Sequence, residues 1–160
     1  MAPGKKLDIA KLVFALAIPQ AAGVIGAVFT YPSISGWYAF LVKPEFMPPS
    51  WVFAPAWTLL YLLMGASLYL ILKRPGKEAR KAAIVFGFQL ALNVIWSILF
   101  FGLRNPALAF TEILALWAMI GATIWQFMKI DKRAAYMMVP YILWVTFAAV
   151  LNYYVWILNA

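Results

Sequence analysis

The residues of this chain able to do chemistry are indoles, phenols and amides set inside long apolar runs. Trp57 and Tyr61 lie four apart, so a helix places them on one face. Trp51 opens that run, and Trp57 sits about 9 Å further in at the helical rise. An indole N–H at that depth needs an acceptor from a neighbouring helix or a ligand. Ordinary aromatic packing explains the pair as well. Gln89, Asn93, Trp96 and Phe100 follow at helical spacings on one stripe, with Ser97 beside them. Amides this deep avoid lipid and face the bundle interior or a cavity. Interhelical glue and a pocket wall both fit. Trp144, Ala148, Leu151 and Val155 share a further face. Glu112 is the only acidic residue deep in an apolar run, a costly placement. With no second carboxylate near it in sequence, a structural role suits it better than acid–base work.

What is missing narrows the chemistry. The chain has no His and no Cys, which removes disulfides, zinc sites, His or Cys haem ligation and His- or Cys-based nucleophilic catalysis. No Gly-rich phosphate loop, metal-ligand cluster or catalytic triad is present, and no cofactor is required by any motif. The net charge of +8 does not mark a nucleic-acid surface, because the basic residues stand in short clusters between apolar runs.

The elements that must position these side chains are membrane helices. Apolar residues make up 66% of the 160 and charged residues 11%, which points to lipid as the solvent. Five stretches are long enough to cross a bilayer, over approximately 12–31, 51–72, 82–103, 106–128 and 134–158. They are too long for barrel strands and lack two-residue alternation. The expected fold is therefore all-α: one membrane domain over 1–160, a five-helix bundle. The first run resembles a signal peptide but is long for one and lacks a small-x-small site, so it reads as the first helix. Eleven of the 13 basic residues, from Lys5 and Lys6 to Arg133, fall on one side of a five-span topology; only Lys43 and Arg104 fall on the other. The positive-inside rule then places the N-terminus in the cytoplasm and the C-terminus outside, in a cytoplasmic membrane. The longest connection, 32–50, is rich in Pro and aromatics and is expected to be a structured loop; an interfacial aromatic belt with a stiffened turn fits its composition equally.

The sequence also resembles a known family. Trp37-Tyr38, Lys43-Pro44, Pro48-Pro49, Trp51-Val52, Pro55, Trp57 and Leu60-Tyr61 resemble the signature of the translocator proteins (TspO/MBR, or tryptophan-rich sensory proteins). The likeness continues through Gln89-Leu90-Ala91-Leu92-Asn93, Trp96, Phe100-Phe101-Gly102, Pro140-Tyr141, Trp144 and Leu151-Asn152-Tyr153. It implies a five-helix bundle, often homodimeric, whose first loop folds over a pocket. It implies a receptor, sensor or carrier for porphyrins such as protoporphyrin IX or haem-like tetrapyrroles, and for isoquinoline or benzodiazepine drugs. A light- and oxygen-dependent porphyrin-degrading enzyme using Trp57 and Trp144 is the alternative. Pocket positions of the family correspond to Trp57, Asn93, Trp144 and Ala148, and lid positions to Trp37, Tyr38 and Pro48. Tyr61, Gln89, Trp96 and Leu151 complete the expected binding set. The chain departs from the family at Phe46 and Leu108, where Trp is usual in many or in animal members. It also lacks the basic residue that completes the animal cholesterol pattern after Tyr154.

Overall fold

The computed structural model describes residues 8–160, and the described residues contain no strand. Helix α1 spans Ile9–Ile34. A short α2, Trp37–Phe40, lies within the first connection. A 3-10 turn, Ser50–Val52, leads into α3, Phe53–Leu72. Helix α4, Lys77–Ser97, runs on through a π turn, Ile98–Gly102. Then come α5, Pro106–Ile130, a short α6, Lys132–Met137, and α7, Val139–Leu158. Among the described residues, five helical segments are long and apolar enough to cross a membrane. They match the expected five in number and order. The third begins at Lys77 rather than near residue 82, because the charged turn Lys77–Lys81 is helical yet belongs at headgroup level, where hydropathy does not register it.

Helix ends follow local chemistry. The side chains of Asp8, Asn105 and Asp131 accept hydrogen bonds from the Lys11, Leu108 and Arg133 backbone N–H groups, satisfying donors that helix starts leave free. Gly76 joins α3 to α4 at φ 112°, a backbone that side chains disfavour.

Two ends of the bundle differ in kind. At one, Arg74 and Arg133 both reach the buried Asp131, at 2.8 and 3.0 Å, and tie the α3–α4 connection to the α5–α6 junction. Hydrogen bonds from Arg133, reinforced by Arg74, hold the Asp131 carboxyl well below the usual carboxylate range. Ser67 donates to the Ala134 carbonyl beside this cluster. Nine basic residues from Lys11 to Arg133 lie at this end; Lys5 and Lys6 lie outside the described residues. The opposite end carries the 35–49 connection, the π turn and the end of α7, with Lys43 and Arg104.

Between the ends, the helices meet through small residues, since lipid offers no hydrophobic gain for association and close packing must supply it. The tightest crossing is α1 on α3. A Cβ on Gly65 would stand 2.8 Å from Leu16 Cα and 2.9 Å from the Ala15 carbonyl oxygen. Pro19 has no N–H to offer that carbonyl, so it is free to lie against Gly65. Around Met64, Phe86, Ile113, Phe127 and Tyr141 the interior is closed, with Phe86 and Phe127 stacked at 6.0 Å.

Candidate functional site

From Gly23 toward the lid end, α1 and α3 face a cavity of about 450 Å³ rather than each other. Helix α1 contributes Gln20, Gly23, Val24, Ala27 and Thr30; α3 contributes Phe53, Trp57, Thr58 and Tyr61. Asn93, Trp96 and Ser97 of α4 form the far wall with Phe100 and Phe101 of the π turn. Trp144, Ala148, Leu151 and Val155 of α7 close the third side. Among the described residues no charged side chain lines the cavity.

The polar groups in these walls are mostly occupied with one another. Asn93 bridges three helices: its Oδ1 accepts from the Tyr61 hydroxyl at 2.8 Å, and its Nδ2 donates to the Tyr141 hydroxyl at 3.0 Å. The amide is thus both glue and wall. Trp96 Nε1 donates to Asn152 Oδ1 at 3.0 Å, and Asn152 Nδ2 donates to the Pro106 carbonyl. Trp57 stacks on Tyr61 at 5.5 Å, and Phe53 meets Trp144 edge-on at 5.9 Å. Trp144 Nε1 is buried and has no acceptor among the described residues.

The roof is built from the connection between α1 and the 3-10 turn, 35–49, shorter than the expected 32–50 because α1 runs on to Ile34. Tyr38 and Met47 reach the cavity, and the Tyr38 hydroxyl lies 3.8 Å from Met47 Sδ. Trp37 packs edge-on against Phe100, and Tyr38 against both Phe100 and Phe101. The π turn makes this possible. One extra residue in the turn, closed by the Leu103 N–H to Ile98 carbonyl bond, brings Phe100 and Phe101 both to the cavity side. The far end of the roof is clamped to α7: the Asn159 amide accepts from Val42 N–H at 2.9 Å and donates to the Val42 carbonyl at 2.8 Å. Phe46 meets Tyr154 edge-on at 5.2 Å. The connection is therefore packed as a structured lid over the cavity rather than serving only as an interfacial aromatic belt with a stiffened turn.

The cavity is open on one flank. Of its lining residues, Val24, Ala27, Tyr31 and Ile34 of α1 and Ser50, Ala54 and Thr58 of the α3 arm are exposed, with Val24 at 66% and Tyr31 at 81%. Every wall residue from α4, the π turn and α7 is buried or half-buried. The opening therefore runs sideways between α1 and α3, facing what would be hydrocarbon and headgroups.

Residues 15–157 match the TspO/MBR family. The chain belongs to the TspO/MBR family. It is 40% identical over 154 residues to the tryptophan-rich protein TspO of Archaeoglobus fulgidus, covering 96% of this chain and all of that one. It is 39% identical over 142 residues to the translocator protein of Ovis aries, covering 87% and 84%. It is 38% identical over 117 residues to the tryptophan-rich sensory protein of Cereibacter sphaeroides, covering 73% of each. As a TspO/MBR protein with five spanning helices, it is a multi-pass integral membrane protein.

Of the residues singled out in the sequence, Tyr38, Trp57, Tyr61, Asn93, Trp96, Trp144, Ala148 and Leu151 line this one TspO/MBR cavity. Three do not. Gln89 belongs to the closed interior: it is fully buried, its Nε2 lies 4.0 Å from Met64 Sδ, and its Oε1 has no partner. It sits one turn below Asn93, past the floor. Trp37 packs within the lid and Pro48 lies in the same connection, but neither lines the cavity. The α1 wall was not anticipated, although Gln20, a lone amide within the first apolar run, was a signal for it. Tyr141, which follows Pro140 in the family motif, is a hydrogen-bond partner of Asn93. Glu112 lies outside the cavity; both its oxygens are buried without a hydrogen-bond partner among the described residues.

Proposed function

We propose that this protein is a membrane receptor or carrier that holds planar, amphipathic, largely apolar molecules of the tetrapyrrole class beneath its lid. The observation that carries this reading is the cavity itself: aromatic walls, few polar groups, a packed roof and a flank open between α1 and α3. Its volume of about 450 Å³ falls in the usual range for small-molecule sites. A sideways opening suits ligands that partition into lipid before they bind. The relatives named translocator and sensory proteins agree with a role in holding or signalling a ligand. On the same reading isoquinoline- or benzodiazepine-like drugs would compete for this space, and homodimerisation is expected from the family.

Protoporphyrin IX titrated into the purified protein is expected to quench its tryptophan fluorescence saturably. Trp57→Phe and Trp144→Phe should each weaken binding by about 1 kcal/mol, the size of one lost aromatic contact. Unchanged affinity in both variants would return these indoles to packing and remove the reading. Repeating the titration under illumination, with and without oxygen, separates holding from light-driven consumption, the alternative activity.

We infer further that the Asp131 end faces the cytoplasm and the lid faces outward, because nine described basic residues stand at the first end against two at the second. A periplasm-active reporter fused after Ala160 should be active, and the same reporter in the 73–81 connection silent. The reverse pattern overturns the orientation.

A further inference from the structure

We propose that Lys43 is the anion anchor of the cavity, fixing the carboxylate-bearing edge of an amphipathic ligand at the lid while the apolar body fills the space between Trp57 and Trp144. This rests on the small-molecule reading above and adds the orientation of the ligand and the chemistry of its polar edge. The cavity walls carry no charge among the described residues, so a carboxylate cannot be met inside them. Burying one there without a partner carries a heavy desolvation cost. A cation does stand at the roof. Lys43 Nζ lies 4.6 Å above the ring of Tyr38, which itself lines the cavity. It is held there by the Leu41 and Ala39 carbonyls, at 3.2 and 3.5 Å. Burial holds the Tyr38 phenol above its ordinary value, so the ring under the ammonium is neutral.

Among the described residues Lys43 also has no counter-ion. The ion pairs among the described residues use Asp8, Glu78 and Asp131, and none involves Lys43. Its neighbour Glu45 is exposed and makes no ion pair. A half-buried ammonium held only by carbonyl dipoles and a π face keeps its full charge available to an anion. Lys43 does not line the cavity itself and adjoins it through the Tyr38 ring; the other lid-end cation, Arg104, is exposed and stands over no lining ring. The open flank adds a steric reason. A planar acid sliding in between α1 and α3 keeps its carboxylates at headgroup depth, where Lys43 is, and sends its uncharged edge toward Gln20.

The test compares protoporphyrin IX, whose two propionates share one edge, with its dimethyl ester, which has the same ring and no charge. Binding is measured by tryptophan quenching in nanodiscs of zwitterionic lipid, so that membrane charge contributes nothing. Lys43→Met is expected to weaken the diacid roughly five- to tenfold, the scale of one charge-assisted contact at a half-buried site, and to leave the ester unchanged. Lys43→Arg should restore most of the diacid affinity, and Arg104→Met should change neither ligand. Added salt should weaken the diacid in the native protein and have less effect in Lys43→Met. Equal loss for diacid and ester in Lys43→Met would show that Lys43 only braces the lid, and no loss for either would show that it does nothing here; both overturn the anchor while leaving the cavity reading intact. Failure of the native protein to bind either ligand overturns the cavity reading and the anchor with it.

Discussion

Gly65→Ala should destabilise the protein by about 3 kcal/mol, at the upper end of what overpacking a well-fitted contact costs. The reason is the identity of the neighbours. The added methyl would lie 2.8 Å from Leu16 Cα and 2.9 Å from the Ala15 oxygen, and both belong to backbone that cannot rotate aside. Helix α1 must then move off α3 at their closest crossing. The cavity begins four residues further along each helix, at Gln20 and Tyr61, so its floor shifts with that crossing. Thermal unfolding in detergent reads the stability, and porphyrin quenching reads the cavity. Gly87→Ala is the matched control. Nothing lies within 4 Å of its added methyl, and Ala is the better helix former, so stability should hold or rise slightly. Equal melting temperatures for Gly65→Ala and the native protein would mean that α1 and α3 do not meet as closely as described.

Asn93→Ala should be the second most damaging single change, costing about 1–3 kcal/mol. It leaves two hydroxyls without partners, those of Tyr61 and Tyr141, one half-buried and one fully buried. Interhelical hydrogen bonds in membranes average well under 1 kcal/mol each, which sets the lower bound. The stranded hydroxyls raise it. Order of removal is the diagnostic. Tyr141→Phe alone gives up one bond, but in an Asn93→Ala background it removes a stranded group and should cost almost nothing or help. That non-additivity distinguishes a connected network from two independent contacts. Strictly additive losses would dissolve the bridge. The same substitution should also disturb ligand binding, since the Tyr61 ring, no longer pinned through its hydroxyl, carries the stacked Trp57.

The sequence by itself determined the number, order and type of the helices. In lipid every backbone polar group must be satisfied within its own segment, so a 20-residue apolar run has almost no other conformation available. The same physics exposed part of the site. Asn93 and Trp96 are too polar to face lipid, and helical spacing carries Phe100 along with them. Trp144, Ala148 and Leu151 follow by the same periodicity and indeed share a wall. Periodicity could not tell where along a stripe a cavity stops. Gln89 lies on the stripe but one turn below the floor, in space already filled by Met64 and its neighbours.

Tertiary structure alone decided the rest, because it depends on contacts between residues distant in the chain. That α1 supplies a wall follows from its crossing with α3 at Gly65, which brings Gly23 onto Tyr61 and separates the facing stripes beyond it. The lid is closed by Asn159 on Val42 across 117 residues, and no local pattern announces that pairing. The π turn that aims Phe100 and Phe101 together has no composition of its own; it shows only in the fold, where Trp37 packs on Phe100 and Tyr38 on both rings. Lys43 reads in the sequence as one of two stray cations. Only the folded lid sets it over Tyr38 at the edge of a cavity that holds no charge of its own.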